Sequence, residues 1–213
     1  MSDNQSIPLV SVKNLTCTKQ DRILFEQLNF DIYAGDIVII GGANGAGKTS
    51  LLRILAGLSE PTEGVIHYRN DPLFYVIEQF KQDLLYIGHA AGIKSELTAQ
   101  ENLTFYMALK GNNHDNALSH LKKIGLYAFE DAHASTLSAG QKRRIALAQM
   151  WEHNEKVWIL DEPLTAIDAK GVAALEQQII THAESGGCVI MTTHQPLSID
   201  PARLTHLNLA YRF

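Results

Sequence analysis

The stretch GANGAGKTS at residues 42–50 decides the fold. It fits the pattern G-x-x-x-x-G-K-[ST], with the apolar run IVII at 37–40 before it and a helical pattern over 49–56 after it. A glycine-rich turn between a strand and a helix lets backbone N–H groups point at phosphate oxygens, and the helix start adds positive potential there. The stretch therefore predicts a phosphate-binding loop (P-loop) in an α/β fold. A chance glycine-rich turn is the alternative, and the flanking strand and helix disfavour it.

The P-loop supplies the first set of candidate binding residues: Gly42, Ala43, Asn44, Gly45, Ala46, Gly47, Lys48, Thr49 and Ser50. We expect Lys48 to place its charge on the β and γ phosphates of a nucleotide. We expect Thr49 to ligate Mg²⁺ through its hydroxyl. The predicted ligand is a nucleoside triphosphate bound with Mg²⁺.

Two further apolar runs, at 157–160 and 188–191, lack polar alternation, which is typical of strands buried on both faces of a parallel sheet. Each run is followed at once by polar residues, Asp161 and Glu162 in the first case and 192–194 in the second. Ligands of open α/β sheets bind outside the carboxyl ends of the strands. We therefore expect these polar segments to converge with the P-loop on one site.

The acidic pair that follows the run at 157–160, Asp161 and Glu162, is typical of a site that hydrolyses a nucleotide. Asp161 would hold the Mg²⁺ shell, and Glu162 would orient or deprotonate the attacking water. The alternative is that one of the two carboxylates only caps the turn at Pro163. The P-loop upstream favours the catalytic interpretation.

The middle of the chain has a different, helical pattern. Thr98 and Glu101 form a capping-box pattern that opens a helix ending at Lys110, and a second amphipathic segment spans 116–124. A later helix is predicted over 169–184 with Asp168 as its N-cap. We expect one domain over 1–213, in which 1–88 and 154–213 form the α/β core and 89–153 form an inserted helical lobe.

Composition disfavours nucleic acid as a partner and indicates where the protein works. The net charge of −5 over 213 residues offers no basic surface for nucleic acid. Two distant cysteines favour a reducing compartment, and no apolar run approaches the roughly 20 residues of a spanning helix. We expect a cytoplasmic protein that reaches a membrane only through a partner.

The segment LSAGQ at 137–141 closely resembles the ABC signature LSGGQ, with Ala139 in place of one glycine. Ser138 and Gln141 form a capping-box pattern, and three cations follow at 142–144. Cations are unfavourable in the first turn of a helix, so they suggest an acidic group nearby, from protein or nucleotide. The alternative for this segment alone is an ordinary capped helix with solvated charges.

The resemblance to ABC ATPases extends in order over nearly the whole chain. It implies a RecA-like P-loop core with N-terminal antiparallel strands, and it implies bound ATP and Mg²⁺. The segment 164–168, ending in Asp168, looks like the D-loop, and His194 stands where the family keeps its switch histidine. The family forms a head-to-tail dimer with ATP, which implies that Ser138 and Gly140 of one chain meet the γ-phosphate held by Lys48 of the other. Gln141 belongs to the same signature, and integral-membrane transporter subunits are the implied partners.

The chain departs from the family pattern at two positions. His89 replaces the glutamine that usually lies about eight residues before the helical lobe, and it would reach Mg²⁺ through water. An imidazole titrates near neutrality whereas an amide does not, so we expect the ATPase activity to be more acid-sensitive than that of His89→Gln. Identical pH profiles would contradict this hypothesis. The usual adenine-stacking aromatic is also absent between 10 and 24.

The P-loop and the segment GHAAGIKSELTAQENL at 88–103 resemble the ATP-binding subunits of the haem exporter in bacterial c-type cytochrome maturation. This resemblance implies a peripheral protein on the cytoplasmic face of the inner membrane, whose ATP hydrolysis drives haem export or release of a haem-loaded chaperone. Three alternatives stay open: a subunit for another substrate such as lipoprotein or a small solute, a soluble ABC ATPase acting on DNA or ribosomes, and a nucleotide sensor that does not hydrolyse. The acidic balance disfavours the second and Glu162 disfavours the third.

Overall fold

The computed structural model describes residues 7–111, 114–152 and 155–210. Within these ranges, nine strands lie in two sheets: β1 (Val10–Lys19), β2 (Arg22–Ile32), β3 (Ile37–Gly42), β4 (Glu63–Tyr68), β5 (Asp71–Pro72), β6 (Leu84–Ile87), β7 (Val157–Asp161), β8 (Cys188–Thr192) and β9 (Leu204–Leu209). The same described residues form six α-helices: α1 (Lys48–Leu55), α2 (Ile77–Asp83), α3 (Ala99–Leu109), α4 (Ala117–Lys123), α5 (Ala139–Leu147) and α6 (Ala169–Glu184).

A parallel sheet of five strands in the order β6-β7-β8-β3-β9 forms the centre. Every residue of β7 and β8 is buried, because helices cover both faces of these inner strands. All three strands predicted from apolar runs are confirmed. The prediction was incomplete at the two edges, where β6 has only four residues and β9 carries polar, exposed side chains.

A second, antiparallel sheet has the order β2-β1-β4-β5. The long β1–β2 hairpin turns at Gln20 and Asp21, both with positive φ. The expected N-terminal antiparallel strands are therefore confirmed, although β4 and β5 join them from beyond α1. Apolar side chains of α1, such as Leu51 and Leu55, pack in one cluster with those of β1, β2 and one face of the parallel sheet.

Between β6 and β7 the described residues form helices α3, α4 and α5, short 3-10 turns and connecting loops, and their apolar side chains pack on the other face of the parallel sheet. The Thr98–Glu101 capping box is confirmed: Glu101 N donates to Thr98 Oγ1 at 3.1 Å and Thr98 N to Glu101 Oε2 at 2.8 Å. Helix α4 is one residue shorter at each end than predicted. The predicted lobe boundary between 153 and 154 lies outside the described residues.

The helices that flank the site begin where the sequence predicts. Helix α6 has Asp168 as its N-cap, with Gly171 N donating to Asp168 Oδ1 at 2.8 Å. Helix α1 starts at Lys48, one residue before the predicted start. Within the described ranges, none of the helices has the length and apolar character needed to cross a membrane.

Candidate active site

The P-loop connects β3 to α1 through a backbone that requires glycine at two contact points. Gly42 has φ +136°, and a Cβ placed there would lie 2.7 Å from the carbonyl oxygen of Leu209. Gly47 has φ +97°, and its Cβ would lie 2.9 Å from the Cβ of Leu24. Side chains at these positions would clash, so this path of the loop backbone requires glycine at both.

Lys48 folds back across the mouth of this loop. Its ammonium donates to the carbonyl oxygens of Gly42 at 2.7 Å and Ala43 at 3.2 Å. Ala43, Asn44 and Gly45 are exposed at the rim. The positive charge of Lys48 therefore lies beside the exposed loop backbone, where the sequence predicts the phosphates.

Asp161 joins three parts of the chain that are distant in sequence. Thr49 Oγ1 donates to its Oδ2 at 2.9 Å, and Thr192 Oγ1 donates to its Oδ1 at 2.7 Å. The carboxylate belongs to a residue that is only 3% exposed. The predicted convergence of the carboxyl ends of β3, β7 and β8 is confirmed for this group of side chains.

Sequence reasoning missed the role of Thr192 in this group. Thr192 is paired with Asp161 in the register of β7 and β8, and its hydroxyl also accepts a hydrogen bond from Glu162 N at 2.9 Å. The available signal was the change from apolar to polar residues at the end of the 188–191 run. That signal indicates the edge of the sheet but does not indicate which carboxylate the hydroxyl contacts.

Glu162 lies just outside the sheet with a positive φ of 52°. His194 Nε2 is 3.2 Å from its Oε1, and Thr165 Oγ1 donates to its Oε2 at 3.2 Å. The His194 side chain is 53% exposed and that of Glu162 27%. The structure thus brings together the two residues predicted as catalytic, with the carboxylate held on both oxygens and open to solvent.

The signature segment forms a second helix start in the same chain. Gln141 N donates to Ser138 Oγ at 3.2 Å and Ser138 N to Gln141 Oε1 at 2.9 Å, which completes the predicted capping box. A Cβ on Gly140 would lie 3.1 Å from the carbonyl oxygen of Ala166 in the D-loop. No hydrogen bond between described residues links this capping box to the P-loop of its own chain.

Two of the three cations that follow the capping box, Arg143 and Arg144, have partners inside the chain. Arg144 Nη2 lies 2.7 Å from Asp168 Oδ2, which supplies the acidic group expected near this helix start. The Gly171 N–H, and then the Arg144 guanidinium, lower the pKa of Asp168 below its usual value. Arg143 instead is buried and donates to backbone carbonyl oxygens.

His89 lies at the same edge of the sheet, two residues after β6, and is exposed. Its carbonyl oxygen accepts a hydrogen bond from Arg143 Nη1 at 3.3 Å.

The β1–β2 hairpin lies beside the P-loop, since Leu24 contacts Gly47. The hairpin turn between Lys19 and Arg22 carries no aromatic residue.

Comparison with known proteins agrees with this geometry. A family model described as ABC transporter matches residues 25–165. The cytochrome c biogenesis ATP-binding export protein CcmA of Colwellia psychrerythraea is 54% identical over 214 residues, which covers 100% of this chain and 98% of that protein. The protein of the same name from Shewanella frigidimarina is 56% identical over 211 residues, which covers 99% and 98%.

A solved structure, described as the dimeric structure of MJ0796, a bacterial ABC transporter cassette, superposes with a TM-score of 0.80 at 26% identity. The match covers 96% of this chain and 97% of that one. The chain therefore belongs to the ABC transporter family, alongside the CcmA proteins that it resembles over its whole length.

Proposed function

We propose that this protein is the ATP-hydrolysing subunit of an ABC export complex in c-type cytochrome biogenesis. The observation that carries the proposal is the hydrogen bond between Thr49 and Asp161, which are 112 residues apart in the chain. This bond joins the end of the P-loop to the strand end that Glu162 follows. The full-length similarity to CcmA proteins supports the role in cytochrome biogenesis. We assign 1–88 and 154–213 to the core of a single nucleotide-binding domain and 89–153 to its helical lobe.

ATP binds with its phosphates against the backbone of residues 42–50. Backbone N–H groups of a glycine-rich turn at a helix start bind phosphate oxygens, and Lys48 adds a point charge to the β and γ phosphates. In the structure the Lys48 ammonium donates to two carbonyl oxygens of the loop. Phosphate oxygens would take over those donors without a large movement of the side chain.

The residues present suit Mg²⁺. The cation prefers hard oxygen ligands and retains water, and Thr49 and Asp161 offer a hydroxyl and a carboxylate oxygen already 2.9 Å apart. When bound, Mg²⁺ would offset the charge of the β and γ phosphate oxygens. Asp161 is held by Thr192 on its other oxygen, so its orientation is fixed before binding. We infer that the His89 imidazole would reach the metal through a bound water.

Glu162 acts as the base that orients and deprotonates the attacking water. One of its oxygens contacts His194 and the other accepts from Thr165, which aligns the carboxylate at the edge of the site. We assign to His194, whose Nε2 lies 3.2 Å from Glu162 Oε1, a hydrogen bond to the γ-phosphate. General-base catalysis of this kind contributes typically about 10²- to 10⁴-fold to a rate.

A second copy of the chain completes the site. Ser138 and Gly140, with Gln141 closing the capping box, present a helix start whose positive end suits a phosphate. The dimeric cassette of similar fold supports a symmetric dimer in which this helix start faces the partner's Lys48. Asp168 follows in the D-loop and joins the interface through α6.

We place the complex at the cytoplasmic face of the bacterial inner membrane, where integral-membrane subunits bind this chain and export the substrate. Nucleic acid is not part of the proposal. The test is purification from membranes of the native host with the chain as bait. The expected result is co-purification of membrane subunits with ATPase activity that Lys48→Ala abolishes. Recovery of the chain with ribosomes or DNA and no membrane protein would contradict the proposal.

A further inference from the structure

Arg143 is a buried cation that forms no salt bridge with a carboxylate among the described residues. It is 7% exposed, and its guanidinium donates from Nη1 to the carbonyl oxygens of Gly88 and His89 and from Nη2 to that of Asp161. Burial lowers the pKa of Arg143, which the nearby carboxylates of Asp161 and Glu162 partly oppose. A buried charge is costly unless its donors are satisfied, so a surface ion pair would be the easier arrangement.

The three acceptors lie on adjacent strands. Gly88 and His89 follow β6, Asp161 ends β7, and the two strands pair in register up to Ile87 and Leu160. A planar guanidinium offers donors in a fixed fork and can bond both strand ends at once, whereas a lysine ammonium is a single point. Arg143 therefore fixes one orientation of its helix relative to this edge of the sheet.

The helix that Arg143 holds is α5, which Ser138 caps. The strand ends that it contacts carry the backbone of His89 and Asp161, and Glu162 follows directly. In the proposed dimer, Ser138 belongs to the partner's ATP site while Asp161 and Glu162 belong to the chain's own site. A single buried side chain thus connects elements of both sites.

We propose that Arg143 is a positioning residue for ATP hydrolysis: by bonding the carbonyl oxygens of Gly88, His89 and Asp161, it sets the helix start at Ser138 in register with its own chain's magnesium and water-activating residues. Arg143 touches neither nucleotide nor metal in this arrangement. The inference rests on the proposed two-chain site, and it names a residue that the signature and P-loop patterns do not include.

The test compares Arg143→Lys and Arg143→Gln with the wild type and with Arg203→Lys. Arg203 is the matched control, since it bonds Glu184 at 2.6 Å on the exposed surface, away from the site. Four quantities are measured: the melting temperature, the dissociation constant for MgADP, kcat for ATP, and ATP-dependent dimerisation in a Glu162→Gln background.

Both Arg143 variants are expected to keep a folded melting transition and their affinity for MgADP. We expect kcat to fall by about 10- to 100-fold, because misplacement of the reacting groups lowers the rate by that order. The ATP-bound dimer should also weaken. Arg203→Lys should match the wild type. Unchanged kcat in the Arg143 variants would overturn the inference. So would a loss of kcat in proportion to MgADP affinity, which would assign Arg143 to nucleotide binding, or loss of folded protein in both variants, which would assign it to stability alone. A wild type without Lys48-dependent hydrolysis would refute the proposed function instead.

Discussion

Thr192→Val tests whether the buried threonine at the end of β8 holds the acidic residue of the site. Valine has nearly the same shape as threonine but has no hydroxyl. The change removes a donor to Asp161 Oδ1, now at 2.7 Å, and the acceptor of Glu162 N, now at 2.9 Å. Asp161 is 3% and Thr192 1% exposed, so water has little access to the carboxylate oxygen that loses its donor.

The expected cost follows from these two bonds. A hydrogen bond to a charged group contributes about 1.5–3 kcal/mol and a neutral one about 1 kcal/mol. We therefore expect Thr192→Val to lower the free energy of unfolding by about 2.5–4 kcal/mol. For a chain of this size that corresponds to a melting temperature lower by roughly 5–16 °C.

The assay is urea unfolding of wild type, Thr192→Val and Thr192→Ser, with equal m-values required for comparison. Serine keeps the hydroxyl and loses one methyl group, so its cost should stay near ~1 kcal/mol. A valine variant within about 0.5 kcal/mol of the wild type would refute the reasoning, because that is the range of an ordinary surface substitution. A serine variant as unstable as the valine variant would show that the methyl group, and not the hydroxyl, matters.

Two further predictions concern residues around the same edge. Glu162→Gln should bind ATP, hydrolyse it at least about 100-fold more slowly and accumulate as a dimer in size-exclusion chromatography; a monomeric variant with normal hydrolysis would contradict the role of the carboxylate. Asp168→Asn keeps a good N-cap and loses the charge that faces Arg144. Because the pKa of Asp168 is lowered in the folded state, the ionised carboxylate stabilises the wild type at pH values above the ordinary pKa of about 4. This stabilisation is lost as the pH falls through the lowered pKa. Denaturation curves should therefore show Asp168→Asn less stable than wild type at neutral pH and equal to it in acid, and a gap that persists in acid would exclude the ion pair as its cause.

The sequence predicts the inner part of the sheet better than its edges. Strands β3, β7 and β8 are short apolar runs because both of their faces are covered, and that pattern is visible without a structure. Strand β9 carries exposed polar residues and so lacks a continuous apolar run, and β6 is too short to form a pattern. Helix starts were predicted to within one residue at α1, α3 and α6, because their glycine or capping residues act locally.

The candidate site divides in the same way. Local motifs predict the P-loop, the capping box at Ser138 and the acidic pair, since each depends on neighbours in sequence. The hydrogen bonds of Thr192 to Asp161 and of Arg143 to the ends of β6 and β7 join residues 18 to 55 positions apart. Such contacts arise from tertiary packing, and a single sequence carries no signal for them.

The central claim is that each ATP site is built from two chains, and mixing two inactive variants tests it most directly. Lys48→Ala removes the phosphate-binding lysine, and Ser138→Arg blocks the helix start that should face the partner's phosphate. A mixed dimer holds one intact site only if Lys48 of one chain meets Ser138 of the other. Equal mixing should then restore about a quarter of the wild-type ATPase activity, because half of the dimers are mixed and each has one working site of two. No recovery, from a mixture in which mixed dimers are demonstrated, would contradict a site shared between two chains.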